Sequence, residues 1–239
     1  MAADTGKVLL QQGAQCEVRN SPASTFKIAL GVMGYDAGIL SDAHAPAWPY
    51  KEEYAAWVDS WKTTIDPTSW QRESVVWYSR EITRQLGAER FQRYVDLLDY
   101  GNRDLSGDPG QHNGLSKSWI SSSLQISPLE EAAFLRKFLN QKLPVAQQAV
   151  DRTIAIIPQY PLPDGWSVHG KTGAGFQPGA DGKLDRDRQF GWFAGWVQKD
   201  DRGLIFATLV KDDAKIAGSA GFRARDELLA GLPKILNGF

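Results

Sequence analysis

The spacing of apolar residues changes character once along this chain, and that change constrains the fold more than any other feature. From about residue 70 to 157, apolar residues recur at helical intervals. After about 160 they gather into β-rich runs, Trp166–Thr172, Gly191–Gln198 and Leu204–Lys211. The last two runs flank K-D-D-R-G, a hairpin signal. A final amphipathic helix is predicted over about 219–238, with Phe222, Leu229, Leu232 and Leu236 on one face. At the other end, K-V-L-L-Q and C-E-V-R within Lys7–Asn20 read as two short strands around a glycine turn. Ser21-Pro22 then opens a helix through Thr25, Phe26, Ile28 and Leu30 toward Gly34, with Ser as cap and Pro at the first helical position. This order predicts an α/β (α+β) chain: an antiparallel sheet flanked by N- and C-terminal helices, with a helical region inserted. A single domain over 1–239 is expected, its sheet part about 1–40 and 158–239 and its helical part about 41–157. The two ends share a sheet, so the chain does not divide in sequence.

Inside the helical stretch, Val75, Tyr78, Ile82 and Leu86 share one face, and Gly87 is a stop. Phe91, Tyr94, Val95 and Leu98 make a second face. Ser127-Pro128-Leu129-Glu130 is a capping box, followed by Ala133, Phe134 and Phe138 as the expected apolar face. Residues 40–68 read as irregular, and 101–116 as a long polar loop of the kind that often carries function.

Composition removes several function classes. The chain has 239 residues, 42% of them hydrophobic, which suits one sizeable core. Lys plus Arg is 27 against 28 Asp plus Glu, so no broad cationic footprint for nucleic acid exists. No basic run suggests a membrane surface, and no stretch approaches the roughly 18 apolar residues of a span. The first residues, M-A-A-D-T-G-K, carry no signal-peptide pattern, which says little about compartment. A single cysteine, Cys16, excludes an internal disulfide framework and reads as a small buried hydrophobe. His44, His112 and His169 form no metal-binding pair, so no metal is expected. His169 reads as a packed strand residue.

Two short motifs carry the chemistry. In Ser24-Thr25-Phe26-Lys27, Ser and Lys stand three apart in the first turn of a helix, so they can touch. A hydroxyl needs a base to become a nucleophile, and a lysine serves when burial lowers its pKa. Lys171-Thr172-Gly173 ends a strand and leads into Ala174-Gly175, where glycine lets a ligand approach the backbone. Each motif alone also fits an ordinary surface pair or a strand-to-turn transition. Gly165 to Thr172 matches a Walker A expression, but no helix can begin at its lysine, so nucleotide binding is rejected. No G-x-S-x-G elbow occurs.

Taken together, the motifs resemble the class D (OXA-type) serine β-lactamases. In order they are Ser24-Thr25-Phe26-Lys27, Ser74-Val75-Val76, Tyr100-Gly101-Asn102, W-I-S-S-S-L-Q-I-S-P from Trp119, and Lys171-Thr172-Gly173. The G-W-F-A-G-W run at Gly191 and G-F-R at Arg223 add to the likeness, which covers nearly the whole chain. The S-D-N that marks class A enzymes at the second motif is absent. The resemblance implies a β-lactamase/DD-peptidase-like fold and an enzyme that opens penicillins and some cephalosporins.

The resemblance also implies residue roles. Ser24 would form an acyl-enzyme, with Lys27 as general base after carboxylation by carbon dioxide, and no other cofactor. Backbone N–H groups of Ser24 and Ala174 would form the oxyanion hole. Ser74 would pass a proton to the leaving nitrogen beside Lys171. Thr172, Gly173 and Arg223 would bind substrate, Arg223 by clasping its carboxylate. Phe26, Val76, Tyr100 and Ile120 would wall the pocket, and the Trp119 indole would donate to the modified Lys27. Asn102 would be structural. The family acts in the periplasm on small-molecule substrates, with no nucleic acid or membrane partner. The chain starts almost at its first strand, which leaves open whether a leader, an edge segment of the sheet and a partner for Cys16 lie upstream. Two rival readings follow from related proteins: a β-lactam-sensing domain that is acylated without turnover, and a D-alanyl-D-alanine peptidase. The spectrum of substrates would depend on loops at 101–116 and 174–190.

Overall fold

A computed structural model describes residues 1–200 and 202–237 of the chain. A one-turn 3-10 helix, Ala23–Phe26, feeds directly into α1 (Lys27–Asp36). Every residue of α1 from Lys27 to Tyr35 is buried, so this helix forms the centre of the molecule. After an irregular stretch come α2 (Pro67–Glu73), α3 (Val76–Leu97), the short α4 (Gly114–Lys117), α5 (Pro128–Leu139) and α6 (Gln147–Ile156). The chain then turns to strands: β1 (Gln159–Pro161), β2 (Ser167–Pro178), β3 (Leu184–Lys199) and β4 (Arg202–Lys211). It closes with α7 (Ala220–Leu236).

The sheet is antiparallel throughout, in the order β1-β2-β3-β4. Its alternating side chains bind two layers. Phe193 and Val197 on β3 pack with Ala224 and Leu232 of α7. Ala194 and Trp196, pointing the other way, join the main core with α1, Phe134 and Phe138 of α5. The inserted helices close around α1 from the other side, with Trp70, Trp77, Tyr78, Phe91 and Tyr100 all buried.

Several sequence expectations fail for identifiable reasons. Residues 7–19 form no strand. K-V-L-L-Q pairs with no other strand, its Lys7 carbonyl accepting only a local bond from the Ala2 N–H, and Val8 and Leu10 face solvent. Met1 instead exchanges hydrogen bonds with Ile205 on β4, and Ala2 bridges Leu204. Cys16 sits half-buried in a turn, its thiol donating to the Gln12 carbonyl at 3.3 Å, and so is no core residue. Ser21 does not cap a helix; its hydroxyl donates to the Trp119 carbonyl at 2.8 Å and accepts from the Ser121 N–H at 2.9 Å. On α5 the buried face is Glu131, Ala132, Phe134, Leu135 and Phe138, while Ala133 is exposed. Phe222 on α7 is likewise exposed. The segment 174–190 is mostly a continuation of the β2–β3 ladder, with a bulge at Phe176/Gln177, and not a free loop. β1 went unpredicted. The strand runs, the break at Gly87 (φ 72°) and the capping box at Ser127 are where the spacing placed them. Asp201 of the hairpin signal and Gly238 of the last helix lie outside the described residues.

Candidate active site

Three residues per turn of 3-10 helix set Ser24 and Lys27 one above the other. The Lys27 Nζ donates to the Ser24 Oγ at 2.9 Å. Lys27 is fully buried, and Ser24 is half-buried. Burial pushes the Lys27 ammonium well below the ordinary lysine range, and the cations Lys171 and Arg80 push it further the same way. Such a shift favours the uncharged amine, and an amine in contact with a hydroxyl can serve as its base.

A second pair repeats the arrangement. The Lys171 Nζ donates to the Ser74 Oγ at 2.9 Å and to the Thr172 carbonyl at 3.1 Å. Lys171 is 2% exposed, and burial lowers its pKa to about 7. Ser74 ends α2 in a left-handed conformation (φ 59°), which turns the chain sharply into α3. Ala23, just before Ser24, and Ser121 also hold positive φ values of 49° without being glycine. Such conformations persist where the surroundings over-determine them.

Gly173 explains how the sheet meets Ser24. A Cβ there would stand 2.9 Å from the Pro22 carbonyl oxygen and 3.0 Å from the Ser24 backbone nitrogen. β2 therefore lies directly on the turn that carries Ser24, and only glycine permits the contact. Ala174 follows on the same strand and is exposed; Thr172 is half-buried. On the far side, Gly221 of α7 abuts the Gly173 carbonyl, which brings the start of α7 to the same strand.

The pocket floor is aromatic. The Phe26 ring packs against Tyr100 at 5.2 Å, Trp119 at 5.7 Å and Phe91 at 6.0 Å. Val76 is buried in the same cluster and Ile120 packs against it. The Trp119 indole N–H and the Ser118 hydroxyl are buried with no hydrogen-bond partner among the described residues. An unspent buried donor is costly, so these two suit an added acceptor. Asn102 holds the polar loop, donating to the Ser123 carbonyl and accepting from the Asp104 and Gln125 N–H groups.

Arg223 departs from the simple expectation of a free fork. Its guanidinium is paired with the buried Asp212 and donates to the Ala217 and Gly218 carbonyls. It pins the 212–218 segment, and only its remaining N–H groups are available to a ligand. Other residues of the site carried no sequence signal. Arg80, six residues past Ser74, faces Lys27 closely enough to repel its charge while donating to the Ser116 carbonyl at 3.0 Å. Gln71 donates to the Lys27 carbonyl at 2.8 Å. The Ser121 hydroxyl accepts from the Phe176 N–H at 3.2 Å and so ties the Trp119 segment to β2.

Comparison with known proteins agrees with this geometry. The model of the penicillin binding protein transpeptidase domain matches residues 1–233. The chain is 44% identical over 235 residues to the OXA-9 β-lactamase of Klebsiella pneumoniae, covering 98% of this chain and 85% of that one. The crystal structure of the OXA-427 class D β-lactamase superposes with a TM-score of 0.93 at 48% identity, over 100% of this chain and 97% of its own. The C-terminal domain of the Bacillus licheniformis BlaR penicillin-receptor is also similar, at 27% identity and a TM-score of 0.77, over 92% and 81% of the two chains. With a buried Ser–Lys pair under a second Ser–Lys pair, on a fold and sequence shared with OXA enzymes, the chain belongs to the class D β-lactamase family.

Proposed function

We propose that the chain hydrolyses the β-lactam amide of penicillins and some cephalosporins through an acyl-enzyme on Ser24, acts in the periplasm, and so confers antibiotic resistance. The observation that carries this reading is the 2.9 Å contact between the Ser24 hydroxyl and the amine of a fully buried lysine. Ser24 Oγ attacks the lactam carbonyl carbon and its proton passes toward Lys27. Backbone N–H groups of Ser24 and Ala174 hold the developing oxyanion. The ring C–N bond breaks, and the nitrogen takes a proton from Ser74, which Lys171 resupplies through the 2.9 Å bond. Water then cleaves the ester and restores Ser24. Thr172, Gly173 and Arg223 line the substrate side.

The Lys27 environment fits an N-carboxy group: a neutral amine to accept carbon dioxide, and the orphan Trp119 N–H to bond the product. That group would supply a carboxylate-like base stronger than the free amine in a dry site. The likeness to the BlaR receptor domain favours a second reading, acylation without turnover. Steady-state hydrolysis of a chromogenic cephalosporin and of a penicillin, with and without bicarbonate, separates the two. Multiple turnovers that accelerate with bicarbonate are expected. One stoichiometric burst and a stable adduct would show a receptor instead.

Arg223 allows a finer test of substrate binding. Arg223→Ala is expected to raise KM about tenfold with kcat changed less than about threefold, since uniform binding is removed. It also leaves the Asp212 carboxylate buried and unpaired, so Tm should fall. An unchanged KM would confine Arg223 to a structural role.

A further inference from the structure

Lys27 opens α1 and Ser74 closes α2, so the two Ser–Lys pairs meet only while those helices keep their relative place. Gln71 stands three residues before Ser74 and is fully buried. Its Nε2 donates to the Lys27 main-chain carbonyl at 2.8 Å. Among the described residues this is the one hydrogen bond that joins α2 to α1. The first turn of α1 does not need it, because the helical ladder already brings the Gly31 N–H to that carbonyl. The fold is not well served by it either. The Gln71 Oε1 is buried with no partner among the described residues, and an apolar side chain of the same volume would avoid that cost.

The turn that carries Ser74 is otherwise held as one piece. The Trp70 carbonyl accepts the N–H groups of Ser74 and, at 3.1 Å, of Val75. The Trp61 indole donates to the Glu73 carbonyl at 3.0 Å, and the Trp70 indole to the Ser79 hydroxyl at 2.9 Å. These bonds fix the shape of the turn, and none of them reaches α1. We propose that Gln71 is a positioning residue for acylation: its amide tethers the Ser74 turn to the Lys27 backbone and so sets the separation of the two Ser–Lys pairs. That separation matters because the pairs act on the two ends of one bond. The Ser24 Oγ bonds to the lactam carbonyl carbon as its proton passes to Lys27. The C–N bond then breaks, and the nitrogen takes the Ser74 proton. A tether one turn from Ser74 holds the second transfer in reach of the first, and misplacement by a fraction of an ångström is enough to slow it.

This role rests on the acyl-enzyme reading, and it is tested on acylation alone, in a double-mutant cycle with Ser74. Gln71→Met keeps the volume and removes both amide groups. Acylation by one penicillin, followed in a stopped-flow instrument, is expected to slow about tenfold, with the affinity of the non-covalent complex unchanged. Tm should stay the same or rise, since the orphaned oxygen is gone. In the Ser74→Ala background, Q71M should change acylation less than about twofold, because the group being positioned is absent. Acylation by Q71M at the wild-type rate, or an equal loss in the S74A background, would overturn the role of Gln71. Gln71→Leu replaces Q71M in the same cycle if the methionine variant folds poorly; failure of both to fold would confine the amide to the fold and overturn the proposal. A wild-type protein that is acylated once and never turns over would remove the hydrolytic reading, and the cycle would still decide the role of Gln71. A wild-type protein that forms no adduct would remove the acyl-enzyme reading and this role with it.

Discussion

Ser24→Ala is expected to lower kcat for any β-lactam by about 10⁴-fold or more, because no second nucleophile can take its place. The Ser74 hydroxyl, also in contact with a buried lysine, is held by Lys171. Lys27→Ala should fail differently. The nucleophile survives but loses the base in contact with it, so acylation slows and the ester, once formed, is hydrolysed more slowly still. Intact-protein mass spectrometry after mixing with a penicillin should show no adduct for S24A and a persistent stoichiometric adduct for K27A. The two outcomes divide nucleophile from base without assuming which step limits the wild-type enzyme. Ser74→Ala, which removes a proton donor only, should cost less, about 10²- to 10³-fold. Turnover by S24A above a hundredth of wild type, or normal turnover by K27A, would refute the assignment.

What could be read from the chain and what could not follows the range of the interactions involved. Ser24 and Lys27 were legible because their contact is local: three residues of tight helix bring them together whatever the rest does. β2, β3 and β4 were legible because each run buries its own residues and two share a short turn. Lys7–Gln12 has the same strand-like composition yet forms none, since a strand exists only where another edge accepts it. β1 is three residues long and ends in proline, too short for any periodicity. Ser74 beside Lys171, 97 positions away, came from the family pattern and not from spacing. Arg80 and Gln71 carried no signal, because the docking of α2 and α3 against α1 alone directs them at Lys27. Glu131 carried no signal, since an acid in the first turn of a helix is where the dipole favours one. The buried line runs through Ala132, one position from the expected Ala133.

That buried acid should also be visible in stability. Its carboxyl is raised from the ordinary 4.5 to about 7 by burial, so between those values the folded chain binds a proton that the unfolded chain has released. The contribution of Glu131 is therefore fully present below about pH 4.5 and is lost as pH rises through 7. From pH 5 to pH 8 the loss comes to about 2 to 3 kcal/mol. Lys171 titrates with the opposite sign. Its folded value of about 7 lies below the unfolded 10.5, so its neutral burial costs progressively less as pH rises between them. Lys27, lowered for the same reason, acts in the same direction. The whole-protein profile mixes these trends, but the difference between two variants does not. Glu131→Gln removes only the carboxyl titration, so the Tm of E131Q relative to wild type should rise by about 5–10 °C between pH 5 and pH 8. A constant difference across that window would mean that Glu131 does not change protonation on unfolding.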